Sequence, residues 1–427
     1  MTTNPSWTVL VYMVADTGDS FYQDAMVDMG EMMSAQFDER VRVVVHADAP
    51  SPWQKRCWEV RGVPEGTERE GTKTKIGTAK EIDFHDDSLL GFIQNVVNNY
   101  KSDYYLLVLW GHGEGIDWKQ KVLAGHPPSA TIQGVGKRFA LGSQSAMEVG
   151  ELGKALAGLD LGGLNRENIV VGFDACLMGM VEVYYEIQPY VGWAVAANDE
   201  IPDTGWPYKE ILNLLGKDPA IKPKNLVENI SDICADWYSK NSPESKVSFA
   251  ACDLLNSVLL VEATKRLAGE LKECIRQIPV YRAVSEARDL AEDLQERAYI
   301  DLYGFCRELE HRTEQKQLKD AARSVVDQVT GGEQASAGFV LQHSFSHVYP
   351  YKFAKNARAL SICFPESNKL EGSVPGLQIN WGSYKDLTFS RYTDWPSFLE
   401  AFWDVQDKLQ SGADLGKPQA FAAIAGS

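Results

Sequence analysis

Two residues able to do covalent and acid–base chemistry sit where two apolar runs end. Cys176 follows residues 169–173 in NIVVGFDACLMG, and His112 follows residues 104–110 in DYYLLVLWGHGEG. A thiol becomes a strong nucleophile when a neighbouring base takes its proton. An imidazole, which titrates near neutrality, suits that task and the later protonation of a leaving group. Taken singly, neither residue is informative. A lone cysteine is most often a buried structural one, and a histidine between Gly111 and Gly113 fits an ordinary loop. As a pair at two strand ends they form a candidate Cys–His dyad.

The runs that carry them have strand character. Residues 169–173 and 104–110 are short, apolar and rich in β-branched or aromatic types, as expected of strands buried on both faces of a parallel sheet. The carboxyl edge of such a sheet is where α/β proteins gather ligands. The apolar spacing after Cys176 predicts a helix starting close behind it, whose N-terminus would favour thiolate. Further strands are predicted at 7–15, 41–47, 53–63 and 191–197, with helices at 21–35, 86–100 and 145–157. Ser145 and Glu148 have capping-box spacing. Residues 65–80 read as an exposed hairpin or loop. This alternation predicts an α/β fold with a mostly parallel sheet flanked by helices. The second half reads as more helical, with helices at 225–239, 254–276, 284–297, 302–311 and 317–329. Short strands at 246–251, 336–342 and 359–364 extend a sheet. His46 within 41–47 reads as a core or edge residue.

YYLLVLWGHGEG and VGFDACLMGMVEV resemble the histidine and cysteine signatures of the clostripain-like cysteine peptidases, grouped with caspases, legumain, gingipains and separase. WTVLVYMVADTGDS, AANDEIPDTGWPY, YIDLYGFC, ALSICFPES and FSRYTDWPSFLEAF extend the resemblance over nearly the whole chain. It implies a caspase-like fold and a cysteine endopeptidase cutting after Arg or Lys. Cys176 would be the nucleophile and His112 the acid–base. The backbone N–H groups of Gly113 and Cys176 would hold the oxyanion, and no third carboxylate is required. The resemblance also implies an acidic primary pocket. Asp174, at the strand end two positions before Cys176, is the candidate for its base; capping the following helix is the alternative. Asp203 is a weaker second acid, with Thr204 and Trp206 as wall residues. Asn198, Asp199 and Glu200 depart from the family's usual serine and glutamate. Asp16 matches an acidic family position and reads as structural.

Residues 117–145 lack periodicity and carry Lys119, Lys121, Lys137 and Arg138. Long loops of this kind are often functional, and relatives can be cut after the catalytic histidine. Self-cleavage there is therefore expected to convert a zymogen. No cofactor is required by dyad chemistry. Calcium stays open because some relatives need it, although no EF-hand spacing is present. His343 and His347 are a remote candidate for metal. The domain expectation is a catalytic domain at 1–215, a helix-rich region at 216–410 with extra strands packed on it, and a flexible tail at 411–427.

Composition narrows the partners. A net charge of −17 speaks against nucleic acid, which wants clustered Lys and Arg, and suits peptide substrates with basic residues. No run reaches membrane-spanning length, and a monomer is favoured. The seven cysteines are odd in number, scattered and without a CxxC pair, which argues against a disulfide framework. With no basic n-region before residue 7, the expectation is a cytoplasmic protein, with secretion by another route left open. Two competing readings are a non-cleaving scaffold on the same fold and a same-fold peptidase with non-basic specificity. The intact His112 and Cys176 oppose the first, and Asp174 opposes acidic specificity.

Overall fold

The computed structural model describes residues 6–15, 19–48, 56–63, 77–84, 88–113, 115–116, 118–120, 149–157, 165–291, 294, 298–332, 338–348, 356–370 and 377–412. Its strands are β1 (Trp7–Met13), β2 (Val41–Ala47), β3 (Arg56–Arg61), β4 (Thr78–Ile82), β5 (Tyr104–Trp110), β6 (Trp118–Gln120) and β7 (Ile169–Asp174). After them come β8 (Trp193–Ala197), β9 (Ser248–Asp253), β10 (Tyr299–Asp301), β11 (Val340–Phe345), β12 (Ser361–Cys363) and β13 (Leu377–Ile379).

Nine of these form one sheet in the order β11-β9-β8-β7-β5-β1-β2-β3-β4. The five central strands from β2 to β8 run parallel. The outer strands β3, β4, β9 and β11 add antiparallel edges. Every residue of β1 and β7 is buried, which is why their apolar runs show no alternation. The result is the caspase-like, mostly parallel sheet with flanking helices and a helical C-terminal region. β9 and β11, from the second half, are strands of this same sheet.

Parallel strands need crossovers, and helices supply them on both faces. Helix Asp19–Ser34 buries Phe21, Ala25, Met29 and Met32 at helical spacing and packs against helix Tyr208–Lys217. Helix Leu89–Asn99 starts where the Ser88 side chain accepts from the Gly91 N–H at 3.1 Å. Among the described residues, no helix is long and apolar enough to cross a membrane.

Among the elements that differ from the sequence reading, three bear on its logic. The segment after Cys176 is not helical until Val181. Residues 78–82 form an edge strand where a loop or hairpin was expected; its side chains are exposed, so it lacks an apolar pattern to read. The predicted helix 254–276 begins as a 3-10 turn at Leu254–Asn256 before the α-helix Ser257–Cys274.

Candidate active site

The site follows from the register of two strands. In the parallel β5–β7 ladder Trp110 stands opposite Asp174, and the Gly111 N–H donates to the Asp174 carbonyl at 3.2 Å. Two residues further along each chain, His112 and Cys176 leave the sheet side by side at its carboxyl edge. The loops touch: a Cβ at Gly113 would fall 2.1 Å from the Cys176 carbonyl oxygen and 2.9 Å from its nitrogen. Only glycine permits that approach. The His112 ring is stacked on Phe21 of helix Asp19–Ser34, centroids 4.2 Å apart, and Phe21 also packs on Trp110. The helix thus sets the plane of the imidazole.

Cys176 is buried, and its sulfur lies against one residue of the 198–206 loop. The Ile201 N–H donates to Sγ at 3.2 Å, and the thiol donates to the Ile201 carbonyl at 3.4 Å. Leu177 follows with φ +62°, a left-handed conformation that costs a non-glycine residue about 1–2 kcal/mol. The Leu177 N–H reaches the Asp199 carbonyl at 3.1 Å and the Gly179 N–H reaches Ala197 at 2.7 Å. The backbone beyond Cys176 therefore stays hydrogen-bonded to the end of β8. This corrects the expected helix N-terminus at Cys176: the helix Val181–Ile187 starts five residues later, so its dipole is not what tunes the sulfur. That helix has Met180 at its N-cap with no side-chain bond, so Asp174 does not cap it.

Asp174 turns inward. Its Oδ2 accepts the Trp206 N–H at 3.1 Å and the Tyr208 hydroxyl at 2.9 Å. A second buried carboxylate, Asp28 of helix Asp19–Ser34, meets it. Asp28 Oδ2 accepts the Trp110 indole N–H at 2.7 Å. Gly205, with φ +61°, covers both: a Cβ there would lie 2.9 Å from Asp174 Oδ2 and 3.1 Å from Asp28 Oδ2. Burial, and then the charge of Asp174, push the Asp28 carboxyl up to about 9, against the pull of the Trp110 bond. Burial and the two carboxylates likewise raise the Tyr208 hydroxyl well above its usual range.

The other expected pocket residues lie on either side of Gly205. Asp203 and Thr204 are exposed, and the Thr204 hydroxyl is 3.2 Å from the Tyr238 hydroxyl, which donates to the Gly205 carbonyl at 2.7 Å. Trp206 is buried, its ring filling the space beside Gly172 of β7. Asn198 is buried and Glu200 exposed. Lys119 lies in β6, opposite Gln378 of β13; its side chain, together with Lys121, Lys137, Arg138, Asp16, Ser145 and Glu148, falls outside the described residues. His347 is exposed, and burial followed by Arg358 pushes the half-buried His343 down to about 4. Among the described residues, there is no group of three or more His, Cys, Asp or Glu that could hold a metal ion.

Sequence reasoning missed Asp28, Gly205, Ile201 and Tyr208. For Asp28 the signal was present: an acid on the same helical stripe as Phe21, Ala25 and Met32, all buried. A carboxylate on an apolar stripe needs a partner or a function.

The family model described as "Clostripain family" matches residues 11–403. No curated protein matches the chain. Among solved structures, a secreted C11 cysteine protease from Bacteroides thetaiotaomicron, in complex with an irreversible peptide inhibitor, is 18% identical with a TM-score of 0.58, covering 92% of this chain and 99% of its own. An inactive zymogen C11 protease from Parabacteroides distasonis is 17% identical with a TM-score of 0.59, over 92% and 99%. Another structure of a secreted C11 cysteine protease from Bacteroides thetaiotaomicron, named iotapain, is 13% identical with a TM-score of 0.60, over 92% and 100%. At these identities the likeness is one of fold. The cytoplasmic expectation is corrected, since two of these structures are described as of a secreted protease. With the family model spanning most of the sequence, the chain belongs to the clostripain family and is a cysteine endopeptidase.

Proposed function

We propose that the enzyme hydrolyses peptide bonds after Arg or Lys through the dyad of Cys176 and His112. The Cys176 sulfur attacks the scissile carbonyl carbon. His112 protonates the departing amine, and the same imidazole then takes a proton from the water that cleaves the thioester. The N–H groups of Gly113 and Cys176, on touching loops, are the candidate oxyanion donors, and one such donor is worth about 2.7–4 kcal/mol of barrier.

The observation that carries the basic specificity is the carboxylate pair Asp174–Asp28 under Gly205, beside the turn that bears Cys176. A guanidinium or ammonium brought between them gains a charge-assisted contact and draws the proton off Asp28. The segment from Ile201 to Trp206 holds the Cys176 sulfur at one end and covers the acids at the other. A zymogen in which this segment must move fits both features. Self-cleavage within 117–145, after one of Lys119, Lys121, Lys137 or Arg138, is the proposed trigger. Asp203 and Thr204 then belong to the rim of the pocket, and its substrates are proteins or peptides carrying basic residues.

The test is hydrolysis of Arg- and Lys-ending peptide reporters by the full chain, alongside the Cys176→Ala variant and thiol alkylation. Activity on basic reporters that disappears in both controls is expected. Wild-type protein inert on every basic reporter, even after nicking within 117–145, would sink the reading. A gel of wild type against Cys176→Ala tests self-processing, because equal fragments in both reject it.

A further inference from the structure

A thiol–imidazole–carboxylate arrangement lies at the other side of the same sheet. In the antiparallel β2–β3 ladder His46 stands directly opposite Cys57. Its Nδ1 is 3.2 Å from the Cys57 sulfur and its Nε2 is 3.0 Å from Asp48 Oδ1. His46 and Asp48 are fully buried and Cys57 is 6% exposed. The ring is clamped from the β1 side, where Tyr12, its register partner, stacks on it at 4.6 Å and 9°. Phe92 of helix Leu89–Asn99 closes the box at 5.7 Å. The Asp48 N–H is tied to the Met13 carbonyl at 2.9 Å, so the carboxylate sits on a fixed backbone.

The order of groups determines what this can do. The two ring nitrogens point in opposite directions, so sulfur and carboxylate cannot converge on one ion; the array is a relay and not a chelate. A carboxylate at Asp48 accepts only, which puts a proton on Nε2 and turns Nδ1 toward the sulfur. One proton then lies between Nδ1 and Sγ, the same relation a base has to a thiol nucleophile. Among the described residues, Cys234, Cys252 and Cys306 have no such imidazole partner. Burial holds the Cys234, Cys252 and Cys306 thiols well above their usual value and pushes Cys274 up to about 12.

We propose that Cys57 is a second reactive thiol, a peroxide-modified site in which His46, oriented by Asp48, takes the sulfur's proton and returns it to the leaving oxygen. The Cys57 S–H proton passes to His46 Nδ1. The thiolate attacks one oxygen of hydrogen peroxide and the O–O bond breaks, oxidising sulfur by two electrons to the sulfenic acid. The departing hydroxide takes the imidazolium proton and leaves as water. The narrow exposure of Cys57 suits an oxidant the size of peroxide and excludes bulky disulfides. The added oxygen would enter the gap between sulfur and ring and break the His46 contact that joins β2 to β3.

The experiment is brief treatment of the folded full chain with limiting hydrogen peroxide, removal of the peroxide with catalase, unfolding in the presence of dimedone to trap the sulfenic acid, and mass spectrometry resolved by cysteine. Cys57 is expected to label about ten-fold or more above Cys234, Cys252 and Cys306. Asp48→Asn is expected to bring that label down to their level while the thermal melt stays cooperative. Labelling of Cys57 no greater than that of the three buried cysteines overturns the proposal. Undiminished labelling in folded Asp48→Asn overturns the relay. The wild-type ratio decides alone if that variant does not fold.

Discussion

Asp28 and Asp174 reach the same small volume from opposite sides, one from a helix and one from the end of β7, with Gly205 laid over both. Two like charges so close in a buried place cannot both persist, and Asp28 is the one held protonated, up to about 9. The pair is thus poised to receive a cation.

Asp174→Asn is expected to lower kcat/KM on Arg and Lys reporters by about 100-fold, the size of a lost charge-assisted contact. A thiol-directed probe lacking any basic group should still label Cys176 at the wild-type rate. Equal loss on both readouts would make Asp174 structural and not a specificity residue.

Asp28 predicts a pH dependence of stability. Its folded value, about 9, is raised above the ordinary carboxyl value of 3.8, so the folded state holds the proton more tightly. The stability this contributes is complete below the unfolded value and is lost as pH climbs from there through about 9. Asp28→Asn should therefore melt a few degrees higher than wild type at pH 8 and match it near pH 4. Parallel Tm curves for the two proteins between those pH values would refute the assignment.

Gly113→Ala places a Cβ 2.1 Å from the Cys176 carbonyl oxygen, so the two loops must part. Reporter hydrolysis should fall by about 100-fold or more. The far-UV circular dichroism should be retained, since the nine-stranded sheet does not include this residue. A fully active variant would mean that the contact does not position the dyad.

Gly205→Ala combines a left-handed backbone at φ +61° with a methyl 2.9 Å from a carboxylate oxygen. A stability loss of about 1–2 kcal/mol is expected from the backbone alone. KM for basic reporters should rise more than kcat falls, as the backbone covering the two carboxylates is displaced. A rise confined to non-basic reporters would contradict this.

The parallel core was legible because β1 and β7 are buried along their whole length, and β5 all but its first residue, and so carry unbroken apolar runs. His112 and Cys176 were legible because both follow such runs directly. What stayed hidden depended on distant chain. The helical spacing after Cys176 is real, but the Leu177 and Gly179 N–H groups are claimed by Asp199 and Ala197, which no local pattern foretells. β4 is polar and exposed, and it exists only because β3 offers it an edge. Trp206 looked like a pocket wall from its loop; the gap beside Gly172 drew it into the core.

The ladder between β5 and β7 also joins chain from before residue 117 to chain from after residue 145. A protease that severed this stretch would leave imidazole and sulfur on separate polypeptides, locked together by interleaved strands and by no covalent link. Such a nicked enzyme would travel as one particle through gel filtration and come apart as two bands only in denaturant.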